Sequence, residues 1–447
     1  MKYITLQDYV LLPFVLIFIY AVAYYIRNKN YALKHPWRKY FIAGLTLKIF
    51  GAIVNGMLHY YYYGGGDTFN FFYHSNIINS AFDESIVKWV NLVLHFPAYD
   101  SIDYYRYTSQ MFWYQDIASY TVGSLGAVLS LFTFNTYLPT AALFAFISYS
   151  GSWAMFRTFS KLYPHLTKQI AVATLFIPTT ILWGSAIYKD TICMFGLGWL
   201  THGVFRFLVQ KDYSIQNILL AVISFLLIAL VKVYILIAFV PALGMWILFN
   251  YTQSIRANSV RTIVKVVVLL AVTLGTVFAM SALSSSLGSY SLDKLASKAE
   301  ETRQWIHYSS ETQDGSSYSL GEIDPSLQGM LLKFPQAVNV TLFRPFMWEV
   351  KKPIMLLSAV ESLLFLILTV KVLFGVGLKQ SWKAIGQDPT IQFCLIFSII
   401  FAFAVGVTTY NFGSLSRYKI PAMPFYTLAM VLIYYKSQPS KRLLPFL

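Results

Sequence analysis

The sequence predicts an all-α protein: a polytopic membrane helix bundle of about eleven transmembrane helices with short outward-facing amphipathic helices. Three observations carry that expectation. Hydrophobic residues make up 57% of the 447 and charged residues only 12%, against roughly 45–50% and about 25% in soluble domains. Apolar runs of about 20 residues recur along the chain, the length at which a helix rising 1.5 Å per residue crosses about 30 Å of hydrocarbon. The charges are unbalanced, 34 Lys and Arg against 19 Asp and Glu, and the basic residues fall in every second gap between the runs.

In chain order the expected spans are 9–26, 40–62, 137–156, 170–187, 190–208, 216–232, 233–250, 263–283, 353–375, 390–408 and 421–435. The first is not a cleavable signal peptide, because Asp8 opens it and no small-residue cleavage site precedes Arg27. The gap after it holds Arg27, Lys29, Lys34, Arg38 and Lys39, which the positive-inside rule places in the cytoplasm, with the N-terminus outside. The same bias recurs at Arg157, Lys161 and Lys168, at Arg206 and Lys211, and at Arg256, Arg261 and Lys265. It continues at Lys371, Lys379 and Lys383, and in a cytoplasmic C-terminal tail with Lys436, Lys441 and Arg442. The apolar stretch 118–134 would invert every later loop if it crossed fully, so it is expected to be interfacial or re-entrant.

The whole of 1–447 then forms a single integral-membrane domain with two long outward segments. The first outer loop, 63–117, is aromatic and interrupted by Pro97, which suits helices lying on the membrane surface. The second, 284–352, contains the polar stretch 309–319, expected to be a mobile loop. This topology puts nineteen basic and two acidic residues inside, and fourteen basic and sixteen acidic residues outside. The basic excess is therefore an orientation signal, and no nucleic-acid partner is expected, since that needs cations clustered on a soluble face. Cys193 and Cys394 both lie in apolar runs, so no disulfide framework or CxxC metal site is available.

Three outward patches carry candidate chemistry. Tyr61-Tyr62-Tyr63-Gly64-Gly65-Gly66-Asp67 ends the second span. Its glycines permit a sharp turn and deliver Asp67 at the interface, where a carboxylate can act as general base or metal ligand. The plain alternative is a glycine turn with a solvated Asp67. Arg417 and Lys419 open the last span from outside, against the charge trend. They suit a phosphate, Arg forking two oxygens and Lys acting as a point charge, and the alternative is headgroup snorkelling. Lys189 and Asp190 form a polar hinge between the fourth and fifth spans. They either neutralise one another or bind substrate, although neighbours on a helix do not face each other.

Asp116, Arg106, His59, His74, Arg344 and Glu349 are further candidates in the outer segments. Lys48 and Glu361 lie inside spans, where an ionisable group is a site candidate by default, and they are possible partners of one another. The remaining histidines have no ligand spacing, and no nucleophile elbow supports Ser-His-Asp catalysis.

Gly66-Asp67 with the aromatic tract 69–73, the 178–190 stretch, and Arg417-Tyr418-Lys419-Ile420-Pro421 together resemble the GT-C superfamily of polytopic membrane glycosyltransferases. Protein mannosyltransferases belong to that class, and the last motif also resembles O-antigen polymerases and other bacterial polysaccharide-assembly proteins. The resemblance covers the general layout of the chain and rests on three short motifs. It implies a bacterial inner-membrane enzyme that uses a sugar or oligosaccharide on a polyprenyl phosphate or pyrophosphate, with a glycan, lipid or protein as acceptor.

It further implies Asp67 as base, Arg417, Lys419 and Lys189 on the donor phosphate, and Asp116, Arg106, Asp190, Arg344, Tyr63 and His74 around the substrate. Many members pair acids in the first loop, whereas Asp67 has no acidic neighbour, so a divalent Mg or Mn ion on Asp67 is an open question. A polymerase or ligase of lipid-linked glycans shares this charge logic. A transporter or flippase of such lipids instead predicts broken helices and charges at the midplane.

Overall fold

The computed structural model describes residues 3–255, 257–282, 295–312, 316–321, 324, 326–438 and 443. Among these the regular structure is helical, with one isolated antiparallel bridge between Ser317 and Asn411. The chain divides into two compact units, Met1–Val233 and Tyr234–Leu447.

The first unit opens with α1 (Leu6–Asn30) and α2 (Arg38–Met57), the latter continued by one wider π turn, Leu58–Tyr62. Then come α3 (Asp67–Ser80), α4 (Ile86–Val93), α5 (Tyr105–Thr108), α6 (Ile117–Leu131) and α7 (Tyr137–Leu162). The short helices α8 (Thr167–Leu175) and α9 (Pro178–Trp183) precede α10 (Lys189–Leu208) and α11 (Ile215–Thr252), whose backbone is non-helical at Lys232 and whose residues from Tyr234 onward belong to the second unit.

Asp8, 1% exposed, fixes the first long contact. One carboxylate oxygen accepts from the Thr5 N–H at 2.9 Å and the other from the Leu138 N–H at 2.8 Å. A single anion thus serves the N-termini of α1 and α7, where helix dipoles favour negative charge, and the two helices start on the same side of the unit. α7 and α10 meet without intervening side chains at Gly151 and Gly198. A Cβ on Gly198 would lie 1.9 Å from the Gly151 carbonyl oxygen, so any larger residue would force the helices apart.

Helices α3 to α6 are more than a surface layer. Ile77, Ile78, Leu92, Tyr107, Tyr114 and Tyr120 share a buried apolar cluster. Its polar keystone is Asn79, whose amide nitrogen shares its two N–H donors among Ala127 O, Ser130 Oγ and Asn135 Oδ1, 2.7–3.0 Å away, while its oxygen accepts from Trp89 Nε1 at 2.8 Å. α4 keeps an outward apolar face, with Ile86 62% and Val87 68% exposed. At roughly 1.5 Å per residue, the 15-residue α6 extends about 22 Å, short of a bilayer's hydrocarbon thickness.

The second unit contains α12 (Asn258–Ala282), α13 (Leu295–Thr312), α14 (Leu327–Leu332), α15 (Phe334–Phe343) and α16 (Met355–Val376). It continues with α17 (Leu378–Gln387), α18 (Pro389–Thr408), α19 (Phe412–Tyr418) and α20 (Met423–Ser437). Its core includes edge-to-face contacts of Phe239, Phe397 and Phe425, with ring centroids 4.9–5.8 Å apart.

Among the described residues, seven helices are long and apolar enough to cross a membrane, against an expectation of about eleven. The difference has four sources. The 170–187 run is broken at Phe176-Ile177, ahead of Pro178, which lacks an N–H and is suited to the first turn of a new helix rather than a helix interior. The runs 216–232 and 233–250 merge into α11, α20 is only 15 residues, and α7 is long enough but too rich in Ser, Thr and Tyr.

The expected mobile stretch 309–319 also differs. Ser309–Thr312 continue α13, and Ser316 and Tyr318 exchange backbone hydrogen bonds with Phe412 and Tyr410. Residues 313–315 of that stretch, 284–294 of the second outer loop, and the basic residues Arg256, Lys441 and Arg442 lie outside the described residues.

Candidate functional site

In the first unit, the polar groups gather where α2 ends and α3, α6 and α10 begin. The turn Gly64-Gly65-Gly66 sets the position of Asp67, the first residue of α3. Gly66 has φ 132° and ψ 175°, a region open essentially to glycine alone. A Cβ there would also lie 2.6 Å from His59 Cδ2. His59 is itself held: Nδ1 lies 2.9 Å from Asn55 O, which can only accept, and Nε2 lies 3.0 Å from the Tyr188 hydroxyl. The neutral tautomer carrying the Nδ1 proton satisfies both contacts, with Tyr188 donating to Nε2.

Lys189 is the hub. Its ammonium is 3.4 Å from Asp116 Oδ2 and interacts electrostatically with Asp67 and Lys232. Asp116 caps α6 through the Ala118 N–H at 3.1 Å and accepts from Ser119 Oγ at 2.5 Å. Burial pushes the Asp116 carboxyl up, but the Ser119 hydroxyl, the Lys189 ammonium and the Ala118 N–H outweigh it and hold it below the usual carboxylate range. Asp190, fully buried, accepts from Lys232 Nζ at 2.6 Å, Lys232 standing at the irregular point of α11. The adjacent Lys189 and Asp190 thus take different partners. With all five groups ionised, three carboxylates face two ammoniums.

Beneath this cluster α2 presents a polar stripe to the broken stretch after α8. Lys48 Nζ donates to Thr180 O at 2.9 Å and Asn55 Nδ2 to Leu182 O at 3.2 Å, while Ser148 Oγ donates to Gly184 O at 3.0 Å. The last carbonyls of a helix lack partners inside it, so Asn55 and Ser148 supply donors to Leu182 O and Gly184 O, while Lys48 adds a second donor to Thr180 O, which also accepts from the Gly184 N–H at 3.2 Å. Lys48 is therefore a cap on a helix end within its own unit. Glu361, the partner suggested by the sequence, belongs to the second unit, near Lys419.

The other first-unit candidates separate. Arg106 pairs with Glu84 at 2.5 Å and lies 4.6 Å over the Tyr107 ring, in the α3 to α6 cap. Glu84 also holds Lys88, and the charged ends of this trio lie at the surface. His74 is fully buried beside Phe112 and Trp113, ring centroids 4.5 and 5.6 Å away, with neither ring nitrogen hydrogen-bonded. Burial pushes its pKa down to about 4, so it is neutral at ordinary pH. Its place is in the interior of the cap, away from solvent. Tyr63 stays exposed at the mouth, its ring 5.1 Å from His59.

In the second unit, Lys419 is fully buried, with Nζ donating to Ser362 Oγ at 2.9 Å and Glu361 as its electrostatic partner. Ser362 Oγ in turn donates to Arg344 O at 3.0 Å. The Arg344 guanidinium binds Glu349, with Nε 3.0 Å from Oε2, and lies 5.3 Å over Phe412. Arg417 is half-buried in the last turn of α19. The structure thus joins Lys419 to the Arg344 carbonyl through Ser362, which sequence reasoning had not selected, with Glu361 as an electrostatic neighbour of Lys419. Lys232 was also missed, and its signal was a single cation where two apolar runs abut.

Among the described residues no three His, Cys, Asp or Glu side chains gather as a metal site. Mg and Mn favour several oxygen ligands, whereas Asp67 shares its surroundings with the Lys189 ammonium. The donor set does not fit a divalent ion. Comparison with family models, with curated proteins and with solved structures found no match to this chain.

Proposed function

We propose that the chain is a membrane glycosyltransferase that moves a sugar or oligosaccharide from a polyprenyl phosphate or pyrophosphate to an acceptor hydroxyl. The observation that supports this reading is the placement of Asp67 at the start of α3 by the glycine turn, within electrostatic reach of Lys189, whose ammonium pairs with Asp116 at 3.4 Å. Asp67 takes the proton of the acceptor hydroxyl as its oxygen bonds to the anomeric carbon. The bond from that carbon to the phosphate oxygen breaks, and Lys189 stabilises the charge left on the phosphate. Asp116 orients Lys189, and Asp190 with Lys232 fixes the start of α10. Arg417 and Lys419 remain donor-phosphate candidates by sequence.

The topology that goes with this proposal has about eleven crossings, the N-terminus outside and the C-terminus in the cytoplasm of a bacterial inner membrane. Acceptors of the glycan, lipid and protein classes all fit, and a polymerase or ligase of lipid-linked glycans is the same chemistry with a glycan acceptor. A different reading, a flippase or transporter of lipid-linked sugars, is favoured by the interrupted α8 and α9 with buried Lys48 beside them.

The test uses purified protein in lipid vesicles with a defined polyprenyl-linked sugar. Asp67→Asn and Lys189→Met should each lower glycosyl transfer by about 100-fold or more, the usual scale of a lost acid–base group. Unchanged transfer in both, with intact folding, overturns the assignment. Movement of the donor across the vesicle without bond cleavage, abolished by Lys48→Met, supports the transporter.

A further inference from the structure

At the opposite end of the first unit from Asp67, the α1–α2 turn and the start of α8 line an open cavity of about 650 Å³. Five cations line it: Arg27, Lys34, Arg38, Lys39 and Lys168. His35 and His165 complete the polar wall, and no carboxylate is part of it. The sequence makes this absence systematic. No Asp or Glu occurs anywhere in 9–66 or in 117–189, the two stretches that contribute the lining.

The cations are also built together. Asn28 Oδ1 accepts from Arg27 Nε and NH2 at 3.2 and 3.1 Å and from Arg38 NH2 at 2.7 Å, so one neutral amide oxygen holds two guanidiniums side by side. The second terminal nitrogen of Arg38 is fixed on Tyr31 O at 2.5 Å. Like charges repel, and a neutral oxygen relieves this far less than an anion would. The first residues of α2 and of α8, Arg38, Lys39, Thr167 and Lys168, also line the cavity, adding the positive ends of two helices without an acidic side chain in either first turn.

We infer that this cavity is a binding site for a phosphate-bearing anion carrying at least two negative charges, or for the headgroup of an anionic lipid that presents the same phosphate chemistry. Two forked guanidiniums and three ammoniums exceed what one singly charged group can occupy. The cavity belongs to the first unit alone and is independent of the proposed transfer reaction.

The test measures full-length protein with two probes. Inorganic pyrophosphate is titrated calorimetrically against protein in neutral phosphatidylcholine nanodiscs, and lipid retention is read by native mass spectrometry after exchange into equimolar phosphatidylcholine and cardiolipin, whose headgroup carries two phosphates. Two variants are compared: Arg27→Gln with Arg38→Gln, which removes the paired guanidiniums, and Lys34→Gln with Lys168→Gln, whose exposed side chains leave packing unchanged. Pyrophosphate binding that weakens at least 10-fold in both variants, and also weakens with added salt, identifies a soluble phosphate compound as occupant. Preferential retention of cardiolipin that both variants lose identifies the lipid. Wild-type protein that shows neither, or variants that match it with both probes, overturns the inference.

Discussion

The glycine turn before α3 makes a graded prediction, because its three residues differ in backbone and surroundings. Gly65 has no positive φ, and a Cβ added to it would meet no atom within 4 Å, so Gly65→Ala should be neutral or stabilise by about 0.4–1 kcal/mol through the unfolded chain. Gly64 has φ 68° and open space, so Gly64→Ala should cost about 1–2 kcal/mol from the left-handed backbone alone. Gly66→Ala meets both penalties: a glycine-only backbone at about 1–3 kcal/mol, and the 2.6 Å approach to His59, which overpacks by about 1–3 kcal/mol. Together these come to about 2–6 kcal/mol. Equilibrium unfolding in detergent micelles gives the three values. A cycle with His59→Ala separates the two causes at Gly66, since removing the ring relieves the overlap and leaves the backbone strain. Equal effects at the three glycines, or no coupling between Gly66→Ala and His59→Ala, would refute the reasoning.

Three further outcomes follow from buried or capped polar groups. Asp190→Ala should destabilise by about 3–5 kcal/mol because Lys232 is left buried without its carboxylate, and adding Lys232→Met should restore much of that in the same unfolding assay. Asp116 has a depressed folded pKa, so its contribution is fully present above the unfolded carboxyl value of about 4 and lost as pH falls through the lower folded value. Asp116→Asn should therefore flatten the acid limb of a stability profile and leave its slope near neutrality unchanged. Asn79→Ala takes a donor from the buried Ser130 hydroxyl and the acceptor from half-buried Trp89 Nε1, at about 1–3 kcal/mol for a buried group left unpaired. A changed Trp89 emission should accompany the loss, and an unaltered spectrum with unaltered stability would count against the keystone role.

The helical class and the position of most long elements were legible because apolar length is a property of neighbouring residues. What was hidden depends on distant partners. Nothing local to 170–187 says that Lys48 and Asn55 will cap carbonyls exposed by a break, although Pro178 marked where the break falls. Lys189 and Asp190 were visible as a polar pair, but their separate partners, Asp116 and Lys232, lie 73 and 42 residues away. Asp67 could be read from its glycines, whereas His74, a lesser candidate by sequence, is an interior residue. A histidine's burial depends on the helices packed over it, and no short motif encodes that.

The Asp8 contact also sets an order of events during synthesis. Its second oxygen waits for the Leu138 amide, 130 residues later. At roughly 5–20 residues per second, that partner follows about 7–26 seconds after Asp8. Of α1 only Asp8, Ile19 and Ala23 are buried, so few other contacts can seat it meanwhile. The first helix to be made therefore waits for five further helices before it is locked, and its docking reports that α7 has begun to form.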